Sequence, residues 1–116
     1  MSRLLLLACV FCSISAFASP PEIVKVSVNK ESSGLYHFLV TIKHEDTGWE
    51  HYADAWSVVL EDKQLGERVL YHPHETEQPF TRGLGDVQIP AGVDTVYIRA
   101  KCNKGEYSAL FPVKIN

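Results

Sequence analysis

Apolar residues recur at every second position along most of this chain, and that period fits strands rather than helices. Val24, Val26 and Val28 alternate with Lys25 and Ser27. Tyr36, Phe38, Val40 and Ile42 alternate with His37, Thr41 and Lys43. Trp56, Val58 and Leu60 form a third row, Val69 and Tyr71 a short fourth, Val87 and Ile89 a fifth. Val96, Ile98, Ala100 and Cys102 make the sixth, and Phe111, Val113 and Ile115 the last. Successive side chains of a strand point to opposite faces, so each row is a candidate core face. Turn signals separate the rows: Ser32-Ser33-Gly34, a hairpin turn over Asp62 to Gly66, a crossover at Pro90 to Asp94, and Asn103-Lys104-Gly105. The pattern predicts an all-β chain, an immunoglobulin-like antiparallel β-sandwich of about seven strands. In it Trp56 fills the core, Cys102 ends an inward row as a buried thiol, and His37 lies on an outward face.

The first residues read as an export signal. Arg3 supplies the positive start, Leu4 to Phe17 is apolar apart from Ser13 and Ser15, and Ala16-Phe17-Ala18 is a small-x-small cleavage site. Residues 1–18 are therefore expected to be a cleavable signal peptide and residues 19–116 a single domain. Leu6-Leu7-Ala8-Cys9 has the outline of a lipoprotein box but leaves only four leucines as an apolar core. The apolar run falls short of the roughly 20 residues a bilayer span needs. No later segment is long enough to insert in a membrane, and the expected destination is periplasmic or secreted. Cys9 and Cys12 go with the leader, so Cys102 remains without an intramolecular partner. An exported domain of this size without disulfides needs a full core, a metal or a partner. The formal net charge is −3, and loss of Arg3 makes the domain more acidic. That weighs against nucleic acid as a partner.

The chemistry concentrates in histidines. All five fall between His37 and His74, four of them in two clusters: His44 with His51, and His72-Pro73-His74-Glu75. Neutral imidazole is the commonest metal ligand among side chains. Pro73 enforces an extended backbone, which turns His72 and His74 to one side of a strand. Glu75, Glu77 and Asp46 can add oxygen. If the third and fourth strands pair as a hairpin, His51 and His74 lie toward the same end of the sandwich. The candidate ligands are His44, His51, His72, His74 and Cys102. Such donors suit a single transition-metal ion: Fe, Cu(II) or Zn. The domain carries no methionine once Met1 is lost, which excludes a thioether copper(I) site.

The stretch from His44 to Trp56 contains His51-Tyr52 and Trp56, and Cys102-Asn103 with Gly105 follows near the end. In these residues the chain resembles the iron-binding domain of the superoxide reductase (desulfoferrodoxin) family. There a His-Pro-Met segment leads into His-Tyr-Ile-x-Trp, and a Cys-Asn-x-His-Gly element closes the domain. The resemblance implies an immunoglobulin-like sandwich with iron bound by four histidines and one cysteine. Carried over by position, it assigns His44, His51 and Cys102 as ligands. The family's histidine after the cysteine is absent, since Lys104 leads directly to Gly105, and residues 19–22 hold no upstream histidine. With that incomplete ligand set the resemblance implies metal binding more than superoxide reduction. The chain is also similar to the metal-free sandwich subunit of thiosulfate oxidation, which docks a sulfur-carrying protein; Thr47-Gly48 matches part of its motif.

Other catalytic patterns are weak. Ser57 and Ser108 lack a nucleophile elbow, Gly83-Leu84-Gly85 lacks the context of a phosphate loop, and Arg82 reads as a surface arginine. The expectation is a binding protein more than an enzyme. The alternative is a non-catalytic module for a periplasmic protein partner, with an exposed patch around Trp49, Tyr52 and Phe80.

Overall fold

The structure is a computed structural model, and it describes residues 19–115. The expected signal peptide lies outside the described residues. Seven strands follow one another: β1 (Glu22–Lys30), β2 (Tyr36–Lys43), β3 (Ala53–Leu60), β4 (Lys63–Val69), β5 (Phe80–Val87), β6 (Thr95–Cys102) and β7 (Phe111–Lys114). Every pairing is antiparallel, in two sheets of order β1-β2-β5 and β4-β3-β6-β7. This is the all-β, immunoglobulin-like sandwich that the alternation predicts. The fourth strand pairs with β3 rather than β5, which gives sheets of three and four strands.

The core lies where the rows said it would. Phe38, Val40 and Ile42 from β2 face Trp56 and Val58 from β3 and Val96, Ile98 and Ala100 from β6. Each of these is fully buried. Burying a side chain of Val to Phe size stabilises by about 1.5–3 kcal/mol relative to exposure. Strand β6 alternates without a break, and Cys102 ends its inward row at 0 % exposure. Strand β3 is buried on both faces, for Ala55, Ser57 and Val59 alternate with Trp56 and Val58 and are also covered. The sheets approach closely where β4 meets β5. A Cβ on Gly66 would stand 3.0 Å from Leu84, and Arg68 donates to the Gly83 carbonyl at 2.6 Å.

Three local expectations shift. A register break between Ile23 and Lys25 turns Val24 outward, so Ile23, Val26 and Val28 make the inward row of β1. The β3–β4 turn is tighter and earlier than Asp62 to Gly66. Leu60 pairs with Lys63, and Glu61 takes a left-handed φ of 56° between them. Val69 and Val87 end their strands, with Tyr71 and Ile89 beyond them, because Gly66 in β4 and Arg82 in β5 interrupt the inward apolar rows. No described helix is long and apolar enough to cross a membrane.

Strict up-and-down alternation brings four chain segments to one rim. These are the start of β1 and the connections over residues 44–52, 70–79 and 103–110. All five candidate ligands sit at this rim.

Candidate metal centre

The three connections are locked together by side chains. Asn103 accepts from the Tyr52 N–H and donates to the Trp49 carbonyl, both at 3.0 Å, while its own N–H donates to Tyr52 O. Gln78 accepts from the His44 N–H at 2.9 Å and donates to the His74 carbonyl at 2.8 Å. Asp46 is the hub. Its Oδ1 accepts from Ala53 N at 3.0 Å and lies 2.6 Å from His44 Nδ1; its Oδ2 accepts from His74 N at 2.7 Å. A buried carboxylate requires such a set of donors, because an unpaired charge away from water is costly.

This scaffold gathers His44, His51 and Cys102. One donor atom from each lies within 4.8 Å of the other two. Each has a local cause. His44 follows the last residue of β2, and the Asp46 carboxylate fixes its ring. His51 closes a tight turn in which its N–H donates to the Gly48 carbonyl and its carbonyl accepts from Thr47 N. Gly48 takes a φ of 132° there, a conformation that suits glycine. Cys102 stands opposite Ala53 in the sheet, and that small side chain leaves the thiol room. The His44 and His51 rings meet edge to face at 4.6 Å between centroids.

The donor set fits a transition-metal ion on two counts. His51 Nε2 is buried and has no hydrogen-bond partner. A buried polar nitrogen of that kind costs about 1–3 kcal/mol unless something binds it. The Asp46–His44 contact is the carboxylate–imidazole arrangement that orients metal-bound histidines. Two imidazoles and a thiol can hold Zn, Fe or Cu, the thiol losing its proton on binding.

His72 and His74 reach the same rim but stand outside this group. Their rings are 4.7 Å apart, as their spacing required. His74 is committed elsewhere: its ring stacks on Phe80 at 3.9 Å, and its Nε2 accepts from Arg82 Nη2 at 2.8 Å. The proton therefore sits on Nδ1, 4.0 Å from Asp46 Oδ2, and no lone pair is free for an ion. Burial, and next the Arg82 charge, push the His74 pKa below its ordinary value. His72 is exposed, with Nδ1 turned to the Pro73 carbonyl. Glu77 faces Arg82 at 3.6 Å in solvent.

Several functional positions escaped the sequence reading. Arg82 is half-buried on His74 rather than a plain surface residue. Phe80 is 2 % exposed and belongs to the core, so it leaves the expected patch, whereas Trp49 is 64 % exposed and packs on Tyr52. Gln78 and Asn103 carry no signal for their bridging roles beyond being amides beside candidate ligands.

A protein described as a "putative lipoprotein" in Halomicrobium mukohataei is 37% identical over 79 residues, 67% of this chain and 38% of that protein. The chain thus spans less than half the length of this curated relative. No protein-family model matches the chain, and no solved structure matches it.

Proposed function

We propose that this chain is an extracytoplasmic binding protein for one transition-metal ion, held by His44, His51 and Cys102. The observation that carries the reading is the convergence of those three donors, one of them a buried nitrogen with no other partner. They are also the three positions that the likeness to the superoxide reductase domain assigned as ligands, and we extend that kinship to this chain as part of the proposal. The lipoprotein description of the Halomicrobium relative supports a place outside the cytoplasm. Bound there, the ion supplies charge and a redox or Lewis-acid centre; the chain supplies a fixed imidazole, a second imidazole and a thiolate. Metal analysis of untagged protein, with titration by Zn(II), Fe(II) and Cu(II), tests this. One equivalent bound with loss of a thiol proton is expected. No stoichiometric metal in wild type, or unchanged binding in Cys102→Ser and His51→Ala, would overturn it.

A second reading rests on Trp49, whose exposed ring packs edge-on against Tyr52 beside the site. Exposed aromatics of that kind anchor protein partners. A pull-down from the native compartment with wild type and Trp49→Ala separates this role from ion binding, which that change leaves intact.

A further inference from the structure

The backbone carbonyl of Ser19 lies 3.0 Å from His44 Nε2. The other ring nitrogen faces the Asp46 carboxylate, which accepts and does not donate, so Nδ1 carries the proton. In a neutral imidazole, Nε2 then turns a lone pair toward the carbonyl oxygen, itself an acceptor. Two acceptors at this distance repel unless something positive joins them. A second ring proton would join His44 to Ser19 but leave His51 Nε2 unpartnered. One cation between them answers both. In a tetrahedral set, two metal bonds of about 2.1 Å hold their donor atoms about 3.4 Å apart, so the 3.0 Å between His44 Nε2 and the Ser19 oxygen needs to open by only about 0.4 Å to seat the ion.

We propose that the Ser19 carbonyl oxygen is the fourth donor of the ion, completing a set of two imidazoles, one thiolate and one amide oxygen. This rests on the metal-binding reading above. The local sequence supports it. Ser19 precedes Pro20 and Pro21, so it is confined to extended backbone and its carbonyl is aimed before any ion arrives. A cleft of ≈ 440 Å³, lined by Ser19, Pro20, Lys43, Glu45 and Gln78, reaches His44 and gives the ion a path. The arm is therefore a wall of the site as well as the lead into β1.

The test is carbon NMR on the exported, untagged protein with serine labelled at the carbonyl, titrated with Zn(II). The Ser19 carbonyl resonance should move with saturation at one equivalent, while those of Ser27, Ser57 and Ser108 stay in place. Removing Ser19 and Pro20 should lower Zn(II) affinity by about tenfold or more, with Cys102 still losing its proton. A fixed Ser19 resonance while the His44 and His51 signals shift, or full affinity in the shortened chain, would overturn the fourth donor and leave the three-residue site standing. If no resonance moves at all, the metal-binding reading itself falls, and this proposal with it.

Discussion

Asp46 Oδ1 stands 2.6 Å from His44 Nδ1, with both side chains fully removed from solvent. The same carboxylate takes the backbone N–H groups of Ala53 and His74 and so joins two connections and the start of β3. Asp46→Ala would strip three buried donors of their partner, at about 1–3 kcal/mol for each left unsatisfied. A loss of about 3 kcal/mol or more in urea unfolding is expected. Asp46→Asn keeps one accepting oxygen and should cost less. A loss under about 1 kcal/mol for Asp46→Ala would show that the hub is not structural.

The ion should stabilise the fold. A ligand that binds the native state alone adds about 2.7 kcal/mol at a hundredfold excess over its Kd. For a domain of this size that raises the Tm by roughly 10–20 °C. Differential scanning calorimetry with and without Zn(II) reads the shift, and a chelator should reverse it. His51→Ala should abolish it, whereas His72→Ala should not, since His72 lies outside the donor group. An equal loss in both variants would point to a different site.

His74 makes the protein acid-sensitive. Burial and Arg82 hold its folded pKa below the ordinary 6.5. Just below pH 6.5 the unfolded chain therefore binds more protons at this position than the folded chain, and stability falls as the pH drops through that window. The loss is complete once the pH lies below the folded value and absent above 6.5. Urea midpoints between pH 7.5 and 5 should decline in wild type and decline less in His74→Gln. Parallel slopes would assign the acid sensitivity to other groups.

The two tryptophans should report opposite environments. Trp56 is 0 % exposed and Trp49 is 64 % exposed. In Trp49→Phe the remaining emission should be blue-shifted and resist acrylamide; in Trp56→Phe it should be quenched readily. Trp56→Ala should cost about 3–5 kcal/mol in chemical unfolding. Strong quenching of Trp49→Phe would contradict the burial of Trp56.

The sandwich was legible because five of the seven strands carry at least two inward apolar residues at alternate positions, and β6 carries four. Strand β5 was the hardest: Arg82 interrupts the inward row between Phe80 and Leu84, Gly83 and Gly85 leave the outward face without side chains, and Asp86 adopts a left-handed φ of 57° near its end. Val24 misled for another reason, since a bulge reverses facing without altering the residue pattern. At the rim, topology alone told that the histidine connections meet at one end. It could not tell which nitrogens stay free. His74 has the same spacing logic as a ligand, yet Arg82, eight residues on, takes its lone pair, and the pairing of β5 with β2 fixes Arg82 at that place.

The proposed donors come from both halves of the sandwich. Ser19 and His44 belong to the β1–β2 side, and His51 and Cys102 to the β3–β6 side. A seated ion would clasp the two layers at one mouth, as a crosslink does in disulfide-bearing domains. The far end, where Glu61 and Asp62 make a two-residue bend, would gain nothing from that clasp. The loaded protein would then open from one end alone, and amide exchange should slow near Ala53 and Cys102 while residues about Glu61 keep their rates.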